Sequence, residues 1–108
     1  MAQKNFTNET PYALDVVLTV RAGSDPGHEA GRESFTLAAH QSRVVAYGSP
    51  SDPYLDAIEA TGNGHGNTIS AAGKVVTRGS SVDDGFNTND HVTFAMSGDS
   101  IVMSFRNG

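Results

Sequence analysis

The sequence predicts an all-β domain built as two packed sheets, and three observations carry that prediction. The composition favours pleated strands and tight turns: valine outnumbers leucine ten to four, beside twelve glycines, eleven serines and nine threonines. Apolar and polar residues alternate with period two in several short runs. Turn signals recur roughly every 8 to 12 residues, the spacing of short strands in a sandwich, with a small barrel as the closed alternative. A chain of 108 residues is the size of one domain, 1–108, and can bury a core without cross-links.

Taken in order, "NFTNETPY" reads as a short edge strand near Phe6 broken at Pro11, because proline cannot donate to a ladder. "ALDVVLTVR" is the clearest strand, with Leu14, Val16, Leu18 and Val20 on one face and Asp15, Val17, Thr19 and Arg21 on the other, wet one. Residues 23–33 read as a long loop. "SFTLA" and "SRVVAY" follow as strands about a polar turn at Ala39 to Gln41, with Phe35 and Leu37 inward on the first and either Val44 with Ala46 or Val45 with Tyr47 inward on the second.

The run "GSPSDPYLDAIEATG" offers Asp52 as a helix N-cap with Pro53 at the first helical position. Its interior fits a strand from Tyr54 to about Thr61 better, since only Leu55 and Ile58 make a helical stripe. "GNGHGN" is then a hairpin tip and "GKVVTRG" another strand. In "HVTFAMSGDSIVMSFR" a two-residue turn at Gly98-Asp99 pairs Met96 with Ile101, Phe94 with Met103 and Val92 with Phe105 on one apolar face, and leaves the other face largely polar. A one-residue slip would scramble that segregation. About seven such strands give an immunoglobulin-like sandwich in architecture, without the Cys and Trp markers of antibody domains.

Several function classes drop out. The chain has no cysteine, which excludes disulfides, thiolate metal sites and cysteine nucleophiles. The start "MAQKNFTNET" carries no apolar leader and no run is long enough to span a membrane, so the default expectation is a cytoplasmic chain. Seven basic residues are scattered singly against a net charge of -5, which argues against nucleic-acid binding. The four histidines, at 28, 40, 65 and 91, never fall in a metal-binding pair spacing. There is neither a G-x-S-x-G elbow nor a P-loop lysine. The carboxylate pairs Asp56 with Glu59 and Asp83 with Asp84 would need a cleft to do acid–base work. Asn5-Phe6-Thr7 and Asn8-Glu9-Thr10 match glycosylation sequons.

The stretch "SSVDDGFNTND" at 80–90 comes nearest to a motif. Calcium wants six to eight oxygens, and Asp83, Asn87, Asn89 and Asp90 are candidate ligands. Gly85 and Phe86 fall where further ligands belong, and a capped turn at 81–87 explains more residues: Ser81 as N-cap, Asp83 and Asp84 at the positive end of the helix dipole, and Phe86 tucked beneath. The expected function is therefore a non-catalytic β-sandwich module that binds a protein or a glycan through its loops, with no cofactor required. Tyr47, Tyr54 and His65 are candidate contact residues, along with the 23–33 loop. A calcium-dependent binder using 83–90 and a small enzyme with a composite site are the alternatives.

Overall fold

A computed structural model of the chain describes residues 2–21, 29–48, 54–64, 67–74, 86–87, 89–98 and 100–106. Its strands are β1 (Ala2–Asn8), β2 (Leu14–Arg21), β3 (Glu29–Leu37), β4 (Ser42–Tyr47), β5 (Leu55–Gly64), β6 (Asn67–Lys74), β7 (His91–Ser97) and β8 (Ser100–Arg106). They form two four-stranded sheets that pack face to face, one in the order β4-β1-β7-β8 and the other β3-β2-β5-β6. The all-β sandwich is the observed architecture, and the sheets are separate rather than closed into a barrel.

Alternation decides which side of each strand is buried. Leu14, Val16, Leu18 and Val20 face the core from β2, Ile58 and Ala60 from β5, Phe35 and Leu37 from β3, all with at most 9% exposure. From the other sheet come Phe6, Val92, Phe94 and Ile101, with Met96, Met103 and Phe105 packed at the margin. Phe6 is the centrepiece, its ring 5.1 Å from Phe35 across the sheets and 6.5 Å from Phe94 beside it. On β4 it is Val45 and Tyr47 that turn inward, while Val44 is 58% exposed.

The β7–β8 hairpin adopts the register read from its sequence, from His91 opposite Arg106 to Ser97 opposite Ser100. Gly98 takes a positive φ of 62° at the turn, a conformation in which a side chain would be strained. The strand favoured at 54–61 is β5, so the helical alternative there does not form.

Four expectations are corrected. β1 is not an edge strand: it pairs antiparallel with β4 and parallel with β7, and Pro11 lies beyond its end, where it costs no ladder bond. The loop expected at 23–33 is shorter, because 29–33 already pair with β2, and 22–28 lie outside the described residues. β6 occupies 67–74, earlier than "GKVVTRG", whose residues from 75 on lie outside the described residues. Arg21, placed by alternation on the wet face, is 2% exposed. The ladder of β2 slips against β3 at Val20/Arg21 and against β5 at Thr19/Val20, and such a bulge re-aims the side chain that follows it.

The corner where the chain leaves one sheet for the other, from β3 to β4, is fixed by polar bonds. His40 adopts a positive φ of 61°, and the Ala38 N–H donates to Gln41 Oε1 at 2.7 Å. Asn8, fully buried, ties that corner to the β1–β2 turn. Its Nδ2 donates to the carbonyls of Tyr12 (2.7 Å), Ala38 (3.1 Å) and Leu37 (3.3 Å), and its Oδ1 accepts from the Thr10 N–H (2.9 Å) and hydroxyl (2.6 Å). The Asn8-Glu9-Thr10 sequon is thus a structural turn, its amide nitrogen occupied inside the protein.

Candidate functional site

Every strand crosses the sandwich from one end to the other, so successive connections alternate between two ends. The described strand ends that flank 9–13, 38–41, 65–66 and 98–99 share one end, and those that flank 22–28, 48–54 and 75–90 share the other. The residues 22–28, 49–53, 65–66, 75–85, 88 and 99 themselves, His65 among them, lie outside the described residues.

The roots of the three long connections are tied together at the start of β5. Arg21, the last residue before 22–28, donates its backbone N–H to the Tyr54 carbonyl at 2.8 Å and Nη2 to the Leu55 carbonyl at 3.3 Å. Asn87, within 75–90, grips the same residue twice: Oδ1 accepts from the Leu55 N–H at 2.8 Å and Nδ2 donates to the Leu55 carbonyl at 3.1 Å. The side-chain amide thus imitates a strand neighbour for a backbone segment where the ladder ends. Beside this node Arg21 Nε lies 3.5 Å from Asp56 Oδ1, with both side chains almost wholly buried. A pair taken so far out of water is worth little in net stability, but it fixes direction, because either charge alone would be costly there.

The 75–90 connection is anchored a second time through Phe86, which is 1% exposed and stands 5.6 Å from the Phe105 ring. That ring lies over Gly73 of β6 so closely that a Cβ there would fall 2.9 Å from Phe86 Cζ. Phe86 and Asn87 form the described part of the helical turn expected at 81–87. Ser81, Asp83 and Asp84 lie outside the described residues.

Asn89 and Asp90 turn toward the other sheet. The Asn89 carbonyl accepts from Lys4 Nζ, and the Asp90 carbonyl accepts from the Asn5 N–H at 2.8 Å. The Asp90 carboxylate accepts from His91 Nδ1 at 2.6 Å. Burial pulls the Lys4 ammonium below the usual lysine range, and the Asp90 charge opposes that pull. Of the described candidate calcium ligands, Asn87 commits its side-chain amide to β5 in one sheet, while the backbone carbonyls of Asn89 and Asp90 serve β1 in the other. Among the described residues no group of three or more His, Asp or Glu side chains is placed to hold a metal ion.

Of the candidate contact residues, Tyr54 is 42% exposed beside the node and keeps its availability. Tyr47 is 2% exposed, so its ring belongs to the core and not to a contact surface. Its burial pushes the phenol up to about 12. Asp56 is buried against Arg21 while Glu59 is exposed on the outer face, so those two carboxylates do not converge. Neither Arg21 nor Asn87 as a root clamp was readable from the sequence, because both depend on the register of strands far apart in the chain.

No family model, curated protein or solved structure matches the chain. Among the described residues no helix is long and apolar enough to cross a membrane.

Proposed function

We propose that the chain is a non-catalytic binding module, immunoglobulin-like in its layering, that holds a protein or a glycan at the end formed by 22–28, 48–54 and 75–90. One observation carries the reading: the three long connections leave from one end, and their roots converge on Leu55 through Arg21 and Asn87. Binding residues concentrate on loops that a rigid scaffold positions, and rigid roots lower the ordering cost of binding. At the opposite end the described connections 9–13 and 38–41 are short and bonded to each other through Asn8. Tyr54 adds an exposed aromatic ring next to the node, a residue type enriched at contact surfaces. The calcium alternative has less support because the Asn87 oxygen is engaged by the Leu55 N–H and, among the described residues, no cluster of His, Asp or Glu is placed to hold a metal ion. The enzyme alternative lacks a convergent set of polar groups among the described residues.

The test is a screen of the folded domain against a glycan array and an immobilised peptide library, followed by amide shift mapping with whatever binds. Shifts should cluster in 22–28, 48–54, 75–90 and at Tyr54 and Leu55. Shifts concentrated at 38–41 and 98–99 would place binding at the other end and defeat the proposal.

A further inference from the structure

We propose that the Lys4 ammonium is the built-in cation of the segment at Asn89 and Asp90: from within the chain, at the Asn89 carbonyl and facing the Tyr47 ring, it supplies the positive charge that the composition of the loop would otherwise draw from calcium. Alternation along β1 turns Lys4 to the same side as Phe6 and Asn8, into the space between the sheets, where it is 5% exposed. An ammonium so little exposed has three donors to satisfy, and leaving them without acceptors would be costly. The parallel register of β1 on β7 sets Asn5 opposite His91, which brings Lys4 alongside residue 90. Nζ donates to the Asn89 carbonyl. The Asp90 carboxylate lies within electrostatic reach. The Tyr47 ring centroid is 6.0 Å away, at the outer limit for attraction between a cation and a ring face.

The chemistry of this position suits an amine better than a metal. Calcium needs six to eight oxygens around one point. Among the described residues, Nζ meets one hydrogen-bond acceptor, the Asn89 carbonyl, with an aromatic face at 6.0 Å, and the Asn87 oxygen is already engaged by the Leu55 N–H in the other sheet. A tethered ammonium requires fewer acceptors and pays no entropy of capture. The consequence is structural: the C-terminal root of the longest connection is pinned to β1 by a charge the chain carries itself. This inference does not depend on what the loop end binds.

Chemical rescue tests it. Lys4→Ala should lower the melting midpoint and leave room for a small alkylammonium ion. Propylammonium chloride should then raise the midpoint by at least about 4 °C, while potassium chloride at equal ionic strength and calcium chloride should not. Rescue by calcium in place of the amine would overturn the proposal and make the turn a metal site that the lysine blocks. Rescue by neither would also overturn it, leaving Lys4 as packing alone. A measurement on the native protein covers the case in which Lys4→Ala does not fold. The chain has two lysines, Lys4 and Lys74, so the Lys74→Arg variant reports Lys4 alone in side-chain nitrogen NMR. A slowly exchanging ammonium signal at neutral pH is expected, and a neutral or rapidly exchanging amine would refute the assignment.

Discussion

Replacing Asn8 by alanine should destabilise the fold more than any other polar substitution at the short-connection end. The side chain has no exposure, and its amide is fully engaged in hydrogen bonds: the two Nδ2 hydrogens are shared among three carbonyls and Oδ1 accepts twice. Each such bond contributes roughly 1 kcal/mol net, and a buried group left without a partner costs about 1–3 kcal/mol. The Thr10 N–H and at least one of the three carbonyls would be orphaned, so a loss of about 3–5 kcal/mol is expected. A domain of this size has only about 5–15 kcal/mol in total. At about 4–8 °C per kcal/mol the melting midpoint should fall by at least roughly 12 °C. Asn8→Asp keeps the size but turns a donor toward three carbonyls into an acceptor, and should be no less damaging at neutral pH. The introduced carboxyl would have its folded pKa raised above the unfolded value of about 3.9. Its protonated form is the one the site tolerates, so the deficit should shrink as pH falls toward that value and grow as pH rises. Urea melts at several pH values would measure both variants. An Asn8→Ala loss under about 1 kcal/mol would refute the reasoning, since it would mean that the network is replaced by water without cost.

Gly73→Ala would bring a methyl 2.9 Å from Phe86 Cζ, so a cost of about 1–3 kcal/mol is expected; combining it with Phe86→Leu should recover part of that loss, and additive losses in denaturant melts would show that the two residues do not meet. Phe94→Ala should cost about 3–5 kcal/mol and Thr93→Ala far less, because only the former faces the core; equal losses would contradict the hairpin register. Tyr47 has its folded pKa raised to about 12 against about 10 unfolded, so its contribution is fully present below pH 10 and is lost as pH rises to 12. The loss should be on the order of 2 kcal/mol, absorbance should show one phenol ionising only near the upper value, and Tyr47→Phe should remove both effects. Asp56→Ala leaves Arg21 buried without its carboxylate and should cost about 3–5 kcal/mol; a neutral result would mean that Arg21 escapes to solvent.

The β7–β8 hairpin is readable because turn and pattern agree: Gly98 permits the positive φ, and every second residue from Val92 to Met96 on β7 and from Ile101 to Phe105 on β8 is apolar. β2 was readable for the same reason. β3 begins in "EAGRES" and β6 in "NTISAAGK", runs of small and polar residues in which alternation leaves no mark, so their extents emerge only from pairing with β2 and β5. β1 lacks the edge position its neighbouring proline suggests, because Pro11 lies past the strand end and the parallel partner β7 is more than eighty residues away in sequence. Arg21 was misplaced because a bulge breaks the period-two rule at the strand end, a break with no local sequence signal. Phe86 is buried, against Gly73 and Phe105, while residues 81–85 of the expected turn lie outside the described residues. The roles of Asn87 and Lys4 could not be read, since each acts on a residue distant in sequence, Leu55 in one case and Asn89 in the other.

On the proposed function, ligand binds at the end whose loop roots meet at Leu55. The most direct measurement compares the affinity of a ligand found by array screening for two variants, Asn87→Ala and Gln41→Ala. Asn87→Ala releases the Leu55 clamp, whereas Gln41→Ala removes a comparable side-chain bond at the opposite corner. With both variants folded, the account predicts at least a tenfold loss for Asn87→Ala, roughly 1.4 kcal/mol, and no change for Gln41→Ala. Unchanged affinity in Asn87→Ala with a loss in Gln41→Ala would contradict it.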